Sequence, residues 1–174
     1  MAVYHLAWDL SWFSLVDWQV AKDPGWRGFA ISIAASFLFL VGVSLALAHQ
    51  DAIRWRAALL RIGRITLAAS AISLGTFFAL GDEFVRFGIL HSIAVGSLVA
   101  LPFVLMPAWA TLAAALAVFV LPRFVAVSFP GDEWAMWPGL TQDPPLSVDY
   151  VPLFPWLAAI LAGIAAVRLL RGKA

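Results

Sequence analysis

The 174-residue chain contains no cysteine, which excludes disulfides, cysteine-containing zinc sites and thiol catalysis and leaves the redox compartment undetermined. Charge is scarce as well. Only 12% of the residues are charged and the net charge is +1, so no long-range field draws the chain to nucleic acid and no such partner is expected. Histidine occurs at positions 5, 49 and 91, never at ligand spacing within one helix. With no HExxH run either, no metal site is expected. A GxxxxGK[ST] phosphate loop is also missing. The N-terminus has neither the basic region nor the small-residue cleavage site of a signal peptide.

What is present is apolar. Hydrophobic residues make up 63% of the chain and mean hydropathy is +0.93, too little polar surface to cover a soluble globule. The expectation is an integral, multi-pass membrane protein of bacterial inner-membrane type, with the lipid bilayer as its first partner. Its fold class would be all-α, a polytopic transmembrane bundle of about six spans with the first shortened, forming a single domain over residues 1–174. The pattern predicts spans over about 1–16, 28–48, 65–80, 84–106, 108–125 and 152–170. The first is short because a span needs roughly 20 apolar residues.

Arg54, Arg56, Arg61 and Arg64 crowd the stretch between the second and third spans, and Arg168, Arg171 and Lys173 end the sixth. By the positive-inside rule both clusters are cytoplasmic, which puts both termini inside. The acidic turn Gly81–Glu83 and the long loop 126–151, with Asp132, Glu133, Asp143 and Asp149, then face outward. Tryptophan is frequent, with nine residues mostly at predicted span ends. That reads as an interfacial belt, with Trp134 and Trp137 the ones that could instead form a sugar-stacking platform.

Against this background the ionisable residues inside spans stand out. His5 and Asp9 are spaced i, i+4, so on a helix they share one face, and burial in hydrocarbon makes function their default reading. A neutral histidine can act as general base or as nucleophile, with the carboxylate fixing its tautomer. The plainer alternative is a buried pair that only joins helices. His91, in Gly88-Ile-Leu-His91-Ser92, sits in the outer half of the membrane and could converge with His5 on one cavity, or simply bond a neighbouring helix. His49, beside Gln50 and Asp51, reads as a solvated loop residue.

The runs MAVYHLAWDLSWF, PGWRGFA, SFLFLVGVSLALAH, FGILHSIAV and DYVPLFPW, with an arginine-rich stretch among them, follow in order along nearly the whole chain. Together they resemble the heparan-α-glucosaminide N-acetyltransferase-like family of membrane acyltransferases. The resemblance implies acetyl transfer from cytoplasmic acetyl-CoA to an amino-sugar or glycan acceptor on the far side. It implies catalytic roles for His5, Asp9 and His91, and coenzyme A phosphate contacts from Arg54, Arg56 or Arg61, whose guanidinium forks suit phosphate. Positive-inside topology alone also explains those arginines. His5 matches a first-helix polar position where lysosomal members carry asparagine, and His91 stands where they carry glutamine. The segment 17–29 holds no counterpart of their loop histidine.

Family members start upstream with an Arg-Gly motif and continue into further helices. The chain therefore reads as shortened at both ends: a fragment, a displaced start, a reduced member, or a remnant that works with another polypeptide. A different class remains open beside these, a transport or lipid-binding module in which His5 and Asp9 relay protons or contact substrate. No internal inverted repeat supports it. A second copy of the same chain is an open partner.

Overall fold

The computed structural model describes residues 1–20, 22–125, 136–141 and 147–172. Its helices are α1 (Ala2–Trp12), α2 (Pro24–Ala48), α3 (Trp55–Leu80), α4 (Ile89–Ala100), α5 (Ala108–Val120) and α6 (Leu153–Leu170). Among the described residues there is no strand, and Phe87 and Tyr150 form an isolated parallel bridge. The fold is an all-α membrane bundle. Contacts divide it into two units, Met1–Phe37 and Leu38–Ala174, with the division falling inside α2.

Three helices are long and apolar enough to cross a membrane: α2, α3 with its continuation to Glu83, and α6. The stretches expected as the fourth and fifth spans are shorter apolar helices, Ile89–Leu105 and Ala108–Arg123. Proline shortens their regular parts. Pro102 and Pro122 fall in the first turn of the 3-10 segments Leu101–Leu105 and Leu121–Arg123, where a missing N–H breaks the α-helical ladder. The first helix also ends early, at Trp12 rather than near Val16, and Ser14 then turns the chain with φ 55°.

α3 departs from expectation at its start. The arginine-rich stretch is not a loop up to Arg64, because the helix begins at Trp55 and carries Arg56, Arg61 and Arg64 on its first turns. Arginine is a good helix former, and its long stem lets the charge reach water from a helix entering the membrane.

In the second unit the interior is built around α6. Leu38 and Leu45 of α2, Leu101, and Ile160, Leu161 and Ile164 of α6 are fully buried. Lipid tails are as apolar as these side chains, so close packing rather than water exclusion must hold the helices together. Glycine permits that closeness. A Cβ on Gly42 would collide with the carbonyl oxygen of Ile160, and one on Gly163 with that of Phe39, so α2 and α6 touch backbone to backbone. His49, one turn beyond this face, is buried with 3% exposure instead of solvated. Its Nδ1 lies 3.0 Å from the Leu45 carbonyl, the ring folding back along its own helix.

Replacing Gly42 or Gly163 by valine should therefore destabilise the second unit by about 1–3 kcal/mol, read as a lower melting temperature in detergent. Gly63→Ala, where nothing lies within 4 Å of the added carbon, should be neutral or slightly stabilising.

Candidate functional site

The polar groups of the second unit converge where α4 begins. Gly88 is the N-cap of α4 and has no side chain to satisfy the first helical N–H groups, which must find acceptors elsewhere. Asp149 supplies one: its Oδ2 accepts the Ile89 N–H at 2.8 Å. A Cβ on Gly88 would overlap that same oxygen, so glycine is what lets the carboxylate approach.

The segment carrying Asp149 is tied down along its length. Val148 N–H donates to Glu83 O at 3.1 Å and Val151 N–H to Phe87 O at 3.0 Å. Ser147 Oγ reaches Phe84 O at 3.1 Å, and the Tyr150 hydroxyl donates to Met136 O at 2.7 Å. Residues 136–139 in turn hold the start of α6, with Leu153 N–H on Trp137 O at 3.0 Å and Phe154 N–H on Pro138 O at 2.8 Å.

α3 grips the same place from another side. Ser73 Oγ donates to Val85 O at 2.6 Å, and Val85 N–H donates to Thr76 Oγ1 at 3.0 Å. The N–H and the C=O of one residue are thus both held by side chains about one turn apart on α3.

These bonds fix the chemistry of His91. The single Ser73 hydroxyl proton goes to Val85 O, so at the 3.3 Å contact between Ser73 Oγ and His91 Nε2 the nitrogen is the donor. Nδ1 accepts the Gly88 N–H at 3.3 Å. His91 is therefore neutral, in the Nε2–H tautomer, and both ring nitrogens are committed to holding the helix entry. To act as a base it must first release Gly88.

His5 and Asp9 belong to the first unit and lie exposed on one face of α1. The i, i+4 spacing brings them to the same face, yet among the described residues no hydrogen bond or ion pair joins their side chains. His5 instead meets the Tyr4 ring edge-on at 6.1 Å. Its imidazole nitrogens are open to a ligand.

Arg54 directs Nε and Nη2 to Ala48 O at 3.0 and 2.7 Å, closing the end of α2. Arg56 is exposed and Arg61 half-buried. Trp137 has 43% exposure, whereas Trp134, Asp132, Glu133 and Asp143 lie outside the described residues.

Asp149 is the residue that sequence reasoning passed over as one acidic loop position among several. Its signal was indirect: a helix starting after Gly88, with no local cap, calls for a remote acceptor. Burial pushes the Asp149 carboxyl above the ordinary carboxylate range, and the Ile89 hydrogen bond partly counters that.

Compared with known proteins, the chain matches over residues 1–174 the family described as Heparan-alpha-glucosaminide N-acetyltransferase, catalytic. No curated protein and no solved structure matches it.

The raised Asp149 pKa has a definite sign. The folded state holds the proton more tightly than the unfolded chain, so stability falls as pH rises from the ordinary value of 3.8 through the raised one. Asp149→Asn keeps an acceptor for Ile89 and should flatten that dependence in thermal melts. Asp149→Ala, which removes the cap, should cost about 1–2 kcal/mol.

Proposed function

We propose, for a chain that belongs to the heparan-α-glucosaminide N-acetyltransferase catalytic family along residues 1–174, transfer of an acetyl group from cytoplasmic acetyl-CoA to an amino-sugar or related acceptor across the membrane. The family is one of membrane acetyltransferases, and the long apolar helices make this chain integral to a membrane. The match along the whole chain carries the reading.

The chemistry asks for little. An amine attacks the thioester carbonyl, a base removes the amine proton, and the coenzyme A thiolate leaves. His5 is the base in this reading because its ring nitrogens are uncommitted, whereas both of His91's are in use. Asp9, one turn along the same face, would orient the imidazole and stabilise its protonated form. His91 acts by holding the α4 entry, with Asp149 as its companion cap. Arg56 and Arg61 are the arginines with guanidinium groups to offer the donor's phosphates, and Arg54 contributes with the nitrogen not bonded to Ala48.

The second unit supports the proposed sidedness. Ser73 and Thr76 near the end of α3, and Val151 just before α6, all hold residues 83–88. The start of α3 and the end of α6 therefore lie at the opposite end of the bundle. Arg56, Arg61, Arg64 and Arg168 share that end, and Arg168 Nη1 donates there to Val104 O at 3.1 Å. In this reading the positive-inside rule makes that end, where α6 finishes, cytoplasmic.

Incubating the purified chain with radiolabelled acetyl-CoA and glucosamine tests the reading. Labelled N-acetylglucosamine should form, and His5→Ala should lower the rate by about 100-fold or more with melting behaviour unchanged. Arg56→Ala should raise the KM for acetyl-CoA by about tenfold. A folded wild-type chain that transfers nothing, or a His5→Ala variant as fast as wild type, would contradict it.

A further inference from the structure

The connection between α1 and α2 holds a cavity that none of this uses. It is open, has a volume of about 500 Å³, and is lined by Asp17, Trp18, Gln19, Lys22, Asp23 and Trp26 among others. That size falls within the range of small-molecule sites, roughly 300–1,000 Å³. Its two indoles lie 5.9 Å apart and 30° from parallel.

The backbone at both tryptophans is pinned. Ser11 Oγ donates to Trp18 O at 2.6 Å, and Asp23 Oδ1 accepts the N–H groups of Gly25 at 2.7 Å and Trp26 at 3.2 Å. The rings of Tyr4 and Phe29, each 6.3 Å from Trp26, brace it. Trp18, with 48% exposure, offers a free face.

The charges around this platform favour a cation. Among the described residues the Asp17 carboxylate has no hydrogen-bond or ion-pair partner, and Asp23 has committed Oδ1 alone to the helix. Lys22 is the one cation in the lining, so the rim is net negative. A pyranose lays an apolar C–H face on an indole, a protonated amine is drawn both to the indole quadrupole and to a carboxylate, and Gln19 and Lys22 suit hydroxyls. An interfacial lipid would need an apolar groove for its chains, whereas this lining interleaves its indoles with Asp17, Gln19, Lys22 and Asp23.

We propose that the Trp18–Trp26 cavity is the binding site of a protonated amino sugar. The choice of an amine-bearing sugar rests on the acetyl-transfer reading; the aromatic and acidic lining does not. The geometry points to Trp18 and Trp26, beside Trp134 and Trp137, which the sequence marked for sugar stacking and of which Trp134 lies outside the described residues.

The test is glucosamine binding to the full chain by equilibrium dialysis in a detergent without a sugar headgroup, with no acetyl-CoA present. Wild type binds, Trp18→Ala weakens affinity by about tenfold or more, and Trp18→Phe, which keeps a ring face, loses less. Asp17→Asn weakens glucosamine binding severalfold and leaves the weaker binding of glucose, which has no amine, unchanged. Glucosamine affinity equal in wild type and Trp18→Ala overturns the proposal, as does absence of glucosamine binding. Trp18-dependent retention of phosphatidylethanolamine without glucosamine binding overturns it in favour of a lipid headgroup site.

Transfer kinetics separate this proposal from the one it builds on. A raised KM for glucosamine in Trp18→Ala with kcat held supports the cavity; an unchanged KM removes it while acetyl transfer stands. Trp18-dependent binding by a chain that transfers nothing leaves the cavity standing and removes the acetyltransferase reading.

Discussion

The backbone contact between α2 and α6 is the constraint on which the second unit depends. In a membrane, helices gain nothing by leaving lipid for one another except better packing, and packing improves when backbones approach. Gly42 and Gly163 allow that approach, and Ile160, Leu161 and Ile164 of α6 then lie fully buried with Leu38 and Leu45 of α2. With α6 fixed, the chain just before it is fixed too. That chain is the strap 147–152, which carries Asp149 to the start of α4.

At the α4 entry a structural need and a chemical appearance coincide. A neutral histidine beside a buried carboxylate and a serine resembles a catalytic constellation, yet each polar atom there has a structural duty. Asp149 caps Ile89, His91 receives Gly88 and donates to Ser73, and Ser73 and Thr76 hold the C=O and N–H of Val85. Unpaired backbone groups inside a membrane are costly, which is reason enough for the network. In the proposed transfer His5, exposed on α1 with no such duty, is the better candidate for the base. Under that proposal the two histidines divide the work: His91 shapes the fold and His5 is left for proton transfer.

Much of the architecture was legible because hydropathy reports it directly. α2 and α6 lie where their apolar runs lie, and the α6 start at Leu153 follows from Pro152. The misreadings have physical causes. Arginines at 56, 61 and 64 read as a loop because charge is taken to end a span, but a helix can carry them out of the membrane on long stems. His49 reads as solvated because its neighbours are polar, while its own face continues the buried stripe of Leu45 and Ala46. Asp149 could not be paired with Ile89 by inspection, since the partners lie far apart in sequence and only the fold joins them. The Trp18–Trp26 cavity was hidden for a related reason. Tryptophans at span ends ordinarily form a belt, and no local pattern announces that these two rings approach to 5.9 Å.

The central claim is vectorial: the donor enters at the arginine-rich end and the acceptor is acetylated on the other side. It is tested most directly in sealed proteoliposomes of known protein orientation, with acetyl-CoA supplied to one compartment and glucosamine to the other. The account predicts N-acetylglucosamine in the acceptor compartment when acetyl-CoA faces the arginine-rich end, and none when the two compartments are exchanged. Equal product in both arrangements, or product only when donor and acceptor share a compartment, would contradict it.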